Sequence, residues 1–136
     1  MGERVMVSAC LLGVSCRYDG KDSRTELQLD SDDQILPICP EGLAGFGVPR
    51  PAIEWTQQGT VCVKKTGADV TAPLQAACRS LEVLANQHNV NRAILKRRSP
   101  SCGVEKIWKD GELVDGEGML APYLRRAGVT VERAPR

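Results

Sequence analysis

The chain has 136 residues, of which 42% are hydrophobic and 26% charged, a composition typical of one globular domain with its own core. Its 18 lysines and arginines nearly balance its 17 aspartates and glutamates, so a net charge of +1 provides no strong field for nucleic acid or an anionic membrane. Two Trp, two Tyr and one Phe are too few for a base-stacking surface, and no apolar run is long enough to cross a bilayer. We therefore expect a cytoplasmic protein, monomeric or weakly dimeric, with no nucleic-acid or membrane partner.

Short apolar runs bounded by polar or turn residues predict strands along the whole chain. They cover residues 5–11, 35–39, 60–64, 93–96 and 129–132. Residues 107–114 contain Asp110-Gly111 between apolar positions, which is typical of a β-hairpin.

Two amphipathic helices are predicted between these strands. Asp69 is an expected N-cap, and apolar residues then recur at helical spacing as far as Ala85. The second helix covers about residues 118–127, with Gly128 as its stop signal, and a short helix is expected at 41–46. Strands that alternate with helices favour an α/β fold with a mainly parallel sheet, in which ligands bind at the carboxyl ends of strands.

Six cysteines in a chain expected to meet reducing conditions indicate metal binding or catalysis rather than disulfides. Cys62 lies in a strand-like run and Cys78 on the apolar face of the long helix, so both are interpreted as core residues. Cys10, Cys16, Cys39 and Cys102 each lie at a loop or strand end. Cys10 and Cys39 close the first and second predicted strands and Cys102 follows the fourth, so these three point to the edge where such strands would converge. The alternatives are a shared metal site and unrelated free thiols.

The identity of such a metal stays open on spacing alone. Paired C-x-x-C knuckles and consecutive ferredoxin-type cysteines do not occur in this sequence. Three isolated thiolates suit a four-iron cluster with one iron left open for a ligand, and they also suit zinc with a bound water.

Four motifs resemble the TudS-like thiouracil desulfidase family. They are SACLLGVSCRYDGK at 8–21, CPEGLAGFGVPRPAIEW at 39–55, GADVT at 67–71 and LKRRSPSCGVEKI at 95–107. The resemblance extends over nearly the whole chain and implies a single domain over residues 1–136, with a Rossmann-like three-layer α/β fold.

The resemblance also implies a chemistry. A [4Fe-4S] cluster would be held by Cys10, Cys39 and Cys102, and a thiocarbonyl substrate such as 2-thiouracil would lose its sulfur as sulfide without net redox change. Glu41 would be the general acid/base, and Ser101 would assist proton transfer or hold the substrate. An N-terminal charge on the short helix is the alternative explanation of Glu41.

Further residues are interpreted from their positions in the motifs and loops. Arg17 and Ser99 are predicted to bind substrate, although a surface ion pair would equally explain Arg17, and Ser99 rivals Ser101 as the working hydroxyl. Cys16 is interpreted as a sulfur relay, a resolving thiol or a structural residue, not as a ligand. Arg50, between two prolines, is assigned only to loop shape. Competing functions are an iron–sulfur or sulfur-carrier protein without turnover, and a zinc or simple thiol protein.

Overall fold

Two four-stranded sheets and three α-helices make up the computed structural model, which describes residues 2–135. The strands are β1 (Arg4–Ser8), β2 (Gln34–Ile38), β3 (Ile53–Trp55), β4 (Val61–Val63), β5 (Arg92–Leu95), β6 (Lys106–Lys109), β7 (Glu112–Asp115) and β8 (Thr130–Arg133). The helices are α1 (Pro40–Leu43), α2 (Thr71–Gln87) and α3 (Leu120–Arg126), and a 3-10 helix over Ala9–Leu12 follows β1.

The first sheet is parallel, with the strand order β2-β1-β5-β8. Its central strand β1 is fully apolar in its interior, and Val5, Met6 and Val7 are 0% exposed. Such a continuous apolar run, without alternation, is typical of a parallel strand covered on both faces. The predicted α/β fold with a parallel sheet is therefore confirmed.

Helices α2 and α3 cover one face of this sheet. Leu74, Cys78 and Leu81 of α2 are buried at helical spacing and share a core cluster with Met6 and Leu124. Helix α2 begins at Thr71, and the Asp69 carboxylate accepts a hydrogen bond from the Thr71 N–H, which satisfies one of the free donors at the helix start.

The opposite face carries a second apolar cluster, which includes Val5, Val7 and Ile94. Leu27 and Leu29 pack against it from residues 21–30, which form neither helix nor strand. This segment is tied to the chain that follows β1 by two backbone bonds, from the Ser23 N–H to the Cys10 carbonyl and from the Thr25 N–H to the Leu11 carbonyl. The third layer at this place is therefore irregular chain rather than helix.

The second sheet has the order β4-β3-β6-β7 and was not expected as a separate sheet. Its β6-β7 hairpin confirms the turn predicted at Asp110-Gly111. Strand β3 has no counterpart among the predicted strands, because three residues reading Ile-Glu-Trp give too short a pattern. Among residues 2–135, no helix has both the length and the apolar character needed to span a membrane.

Candidate active site

Three strand ends of the parallel sheet define a cavity. The chain leaves β1 toward β2 on one side and later returns to β5 on the other side of β1. In parallel sheets, such a reversal opens a crevice beyond the carboxyl ends of the strands. A cavity of about 430 Å³ lies there, within the range of roughly 300–1,000 Å³ that small-molecule sites occupy.

Four of the six cysteines line this cavity: Cys10, Cys16, Cys39 and Cys102. Cys10 lies in the 3-10 helix after β1, and Cys39 is the first residue after β2. Its sulfur accepts a hydrogen bond from the Gly42 N–H at 3.4 Å. Cys62 and Cys78 are not among the residues that line the cavity.

Burial raises the pKa of three of the four cavity cysteines, Cys10, Cys16 and Cys102. Burial raises the pKa of Cys102, and negative charge on Cys10 or Cys39 would raise that pKa further. Burial also raises the pKa of Cys10. The pKa of Cys16 is raised to about 12, mainly by burial and further by the neighbouring sulfur of Cys39. The three predicted ligands thus lie close enough to repel one another as thiolates. A shared cation would turn this repulsion into attraction.

The loop that carries Cys102 is fixed by backbone contacts to its neighbours. At the start of α3, the Gly118 N–H binds the Gly103 carbonyl at 2.7 Å, and the Leu120 N–H binds the Ser101 carbonyl at 2.9 Å. The Trp55 indole Nε1 donates to the Pro100 carbonyl at 3.0 Å. A Cβ at Gly118 would lie 2.7 Å from Ser101 backbone atoms, so the close approach requires glycine.

Glu41 and Ser101 meet on the wall of this cavity, although 60 residues separate them in sequence. The Ser101 hydroxyl donates to Glu41 Oε2 at 2.7 Å, and the two residues are only 2% and 8% exposed. The Ser99 and Ser101 hydroxyl oxygens lie 3.0 Å apart. Three residues predicted for the site, Ser99, Ser101 and Glu41, are therefore connected by one series of hydrogen bonds.

The direction of donation in this series of hydrogen bonds follows from the contacts of the Ser99 hydroxyl. Its hydroxyl oxygen accepts the backbone N–H groups of Ser101 and Cys102, at 3.2 and 3.0 Å. With its lone pairs occupied, Ser99 donates its own proton to Ser101, which in turn donates to Glu41. The Ser99 proton is thus directed to Ser101, while Ser99 also lines the cavity, and its contact with substrate stays a prediction.

Arg50 is a site residue that the sequence analysis assigned only to loop shape. Its Nε donates to Glu41 Oε1 at 3.2 Å, its Nη1 donates to the Gly47 carbonyl at 2.9 Å, and its side chain is 4% exposed. The two carboxylate oxygens of Glu41 are therefore held from two sides, one by Arg50 and one by Ser101. The only sequence signal was a single arginine between prolines, 9 residues from Glu41.

The Arg50→Met variant is expected to lower the free energy of unfolding by about 3 kcal/mol, because Glu41 would stay buried without its cation. Urea denaturation of the metal-free protein measures this. Arg126→Met is the matched control, since the Arg126–Glu82 pair is more exposed and such pairs contribute little. Equal losses in the two variants would contradict the special importance of the buried pair.

Basic side chains surround the rest of the cavity. Arg17 lines it and also pairs with Asp19 at 3.4 Å, so both sequence interpretations of Arg17 describe part of its environment. Lys96 lines it as well, and burial lowers the pKa of this lysine. The structure thus gathers all the predicted site residues at one cavity: Cys10, Arg17, Cys39, Glu41, Ser99, Ser101 and Cys102.

Known proteins resemble this chain in sequence, and a solved structure resembles it in fold. Residues 5–134 match the profile of the 2-thiouracil desulfurase family. The chain is 33% identical over 140 residues to the uncharacterized protein YbbK of Bacillus subtilis (strain 168), with 93% of each protein covered. It superposes with a TM-score of 0.87 on a solved structure described as [4Fe-4S]-dependent thiouracil desulfidase TudS, at 34% identity, covering 96% of this chain and 90% of that one.

Proposed function

The chain belongs to the 2-thiouracil desulfurase family, and we propose that its cavity removes the sulfur of a thiouracil-type substrate as sulfide. It is a [4Fe-4S]-dependent desulfidase, in agreement with its family and its structural neighbour. One observation supports the site assignment above all others: Cys10, Cys39 and Cys102 line the same cavity as the Glu41–Ser101 pair. We also propose that the chain is a single domain of this family, since the family profile spans residues 5–134.

The residues at the cavity fit the cluster. Cys10, Cys39 and Cys102 offer three soft sulfur ligands from three separate segments, and thiolates are the usual ligands of iron–sulfur clusters. Gly42 lies so close to the Cys39 sulfur that a Cβ at this position would be 3.3 Å from it. The glycine therefore allows its own backbone N–H to donate a hydrogen bond to that sulfur. We propose these three cysteines as the ligands, with Cys16 outside the set.

Three protein ligands leave one iron open, and when bound the cluster supplies a Lewis acid for the substrate sulfur. The net reaction exchanges the C=S sulfur for a water oxygen: thiouracil and water give uracil and hydrogen sulfide. No electron is gained or lost in this balance, so the protein must supply only proton transfer and orientation.

Glu41 is the group that we propose for proton transfer. Its Oε2 accepts the Ser101 proton and its Oε1 faces Arg50, so the carboxylate is oriented before substrate arrives. In this role Glu41 takes a proton from the attacking water and returns one to the substrate. Ser101 keeps the carboxylate in place and can move a proton to it, while Ser99 orients Ser101. Arg17, at the more exposed part of the lining, is proposed to contact the polar edge of the substrate.

The two serines are expected to differ when each is replaced. Ser101→Ala removes the donor to Glu41 and should lower kcat by at least about tenfold while the cluster is retained. Ser99→Ala leaves the Ser101 and Cys102 N–H groups without their acceptor, so it should also lower the free energy of unfolding, by about 1–3 kcal/mol. Steady-state kinetics and urea denaturation check the two effects, with Ser80→Ala on the surface of α2 as control. A loss of kcat in Ser99→Ala that exceeds the loss in Ser101→Ala would contradict the proposed donation from Ser99 through Ser101 to Glu41.

The function as a whole is tested by anaerobic reconstitution of the protein with iron and sulfide, followed by incubation with 2-thiouracil. The expected results are four irons and four sulfides per chain (roughly, within assay error), with formation of uracil and sulfide. A protein that takes up no cluster would contradict the ligand assignment, and a loaded protein that forms no uracil would contradict the substrate class.

A further inference from the structure

The aromatic residues of the chain, two Trp, two Tyr and one Phe, divide into two groups. Phe46, Trp55 and Tyr123 pack against the main core cluster. Tyr18 and Trp108 are instead 46% and 42% exposed, and both line the cavity that contains the proposed cysteine ligands. Among residues 2–135, the other exposed large hydrophobic side chains are aliphatic and lie outside this cavity, where single exposed apolar residues are ordinary. The exposed aromatic rings are therefore gathered at the site.

Trp108 reaches the cavity from β6 of the second sheet. Successive side chains of a strand point to opposite faces, and its neighbour Ile107 is buried in the core, so the indole is directed away from the core. Ile107 also forms a parallel bridge with Arg98, which attaches β6 to the segment just before Ser101. This bridge places the indole beside the loop that carries one of the two partners of Glu41.

Tyr18 reaches the cavity from the opposite part of the chain. It lies in a turn that is closed by the Gly20 N–H, which donates to the Arg17 carbonyl at 2.9 Å. The Tyr18 carbonyl accepts the Arg50 N–H at 2.7 Å, and the Arg50 side chain donates to Glu41. Each exposed aromatic residue is thus fixed by backbone contacts to a segment that holds the Glu41 carboxylate.

The polar groups of the cavity can recognise only part of a heterocyclic substrate. Hydrogen bonds from Glu41, Ser101 or Arg17 reach the edge of a ring, where its N–H and carbonyl groups lie. The two faces of such a ring are π surfaces, and aromatic side chains stack on them favourably whatever groups the edge carries. Because the sulfur of a ring thiocarbonyl lies in the ring plane, contact with the faces leaves both the sulfur and the polar edge free.

We propose that Trp108 and Tyr18 stack on the ring of the substrate, and that they make the site selective for flat heteroaromatic thiocarbonyl compounds. The proposal rests on the function given above, since it concerns the substrate of the same cavity. It assigns substrate binding to two residues that the proton-transfer groups do not contact through their side chains. A thiocarbonyl compound with a puckered ring offers no flat face, so it loses this contact while keeping its hydrogen-bonding groups.

The experiment compares Trp108→Leu and Tyr18→Leu with the wild type, all reconstituted anaerobically. Leucine keeps an apolar side chain but removes the aromatic ring. We expect KM for 2-thiouracil to rise about tenfold in Trp108→Leu and by a smaller factor in Tyr18→Leu, as the loss of one stacking contact predicts. The value of kcat should stay within about twofold of the wild type, because the ring is held equally before and during the reaction.

A pair of inhibitors measures the selectivity separately from the reaction. Uracil and dihydrouracil carry the same carbonyl and N–H groups and no sulfur, but only the uracil ring is flat. We expect the wild type to bind uracil about tenfold more tightly than dihydrouracil, measured as competitive inhibition constants. This preference should fall in both leucine variants, which a merely structural role of the two residues would not produce.

Control variants separate stacking from general damage. Trp108→Phe keeps an aromatic ring and should retain the preference for uracil, and Val83→Ala changes an exposed apolar residue of α2 outside the cavity. Iron content and thermal unfolding are measured for every variant, and because Tyr18 and Trp108 lie in different elements, one leucine variant decides the matter if the other does not fold.

Two results would count against different claims. Unchanged KM and unchanged preference for uracil in the leucine variants of an active protein would overturn the stacking proposal while the desulfidase function stands. A cluster-loaded wild type that forms no uracil from 2-thiouracil would instead overturn the proposed function on which it depends.

Discussion

The Cys39→Ala variant is expected to bind no intact cluster and to lose desulfidation entirely. With one of three proposed ligands gone, two thiolates remain, and the backbone donor at Gly42 no longer has a sulfur to bind. The measurement is iron and sulfide content together with visible absorption after anaerobic reconstitution. Retention of a full cluster would show that Cys39 is not a ligand.

Cys62→Ala is the matched control for this variant. Both cysteines are half-buried, yet Cys62 lies on β4 and does not line the cavity. Its replacement should leave cluster content and activity at wild-type values. A parallel Cys16→Ala variant tests the fourth cavity cysteine, and we expect it to retain iron, since the proposed ligand set is complete without it.

The Glu41→Gln variant is expected to keep its cluster and to lose about 10²–10⁴-fold in kcat, the usual contribution of a general acid/base. The amide preserves the size of the side chain but cannot accept a proton from water at neutral pH. With its carbonyl oxygen toward Arg50, it would also present an NH₂ group to Ser101 and so oppose the hydrogen-bond direction of the native chain.

Kinetics and cluster content must be read together for this variant. Glu82→Gln, at a half-buried position of α2 outside the cavity and paired with Arg126, is the control for loss of one carboxylate. A full cluster with greatly reduced turnover would exclude a passive iron–sulfur or sulfur-carrier protein. Wild-type turnover in Glu41→Gln would show instead that Glu41 serves only the structure of α1 and its arginine partner.

The individual site groups were predictable because each lies in a local pattern. Cys10 and Cys39 follow apolar strands, and the Ser-Pro-Ser-Cys-Gly turn marks the loop of Ser101 and Cys102. The cofactor itself was not predictable from spacing, since three thiolates suit zinc as well, and only the family resemblance favoured iron and sulfur.

The contacts among these groups could not be predicted from local patterns. Ser101 and Glu41 are 60 residues apart and meet only because β2 and β5 flank β1 in the sheet. The role of Arg50 could not be predicted from its local sequence, because it depends on a contact with the Glu41 carboxylate that forms only when the loop folds back. The second sheet was missed for a similar reason, since β3 pairs with β6 through Trp55 and Lys109, which are far apart in sequence.

The irregular segment over the second apolar cluster has a consequence for how long the protein keeps its cofactor. Residues 21–30 are attached near Cys10 by a few backbone bonds and by two leucines, whereas the opposite face is covered by helices. Segments of this kind open locally at a much smaller free-energy cost than global unfolding. We therefore expect amide protons here to exchange with solvent far faster than those of β1. Cofactor release should show a correspondingly weak dependence on urea, because the opening that admits solvent exposes little surface.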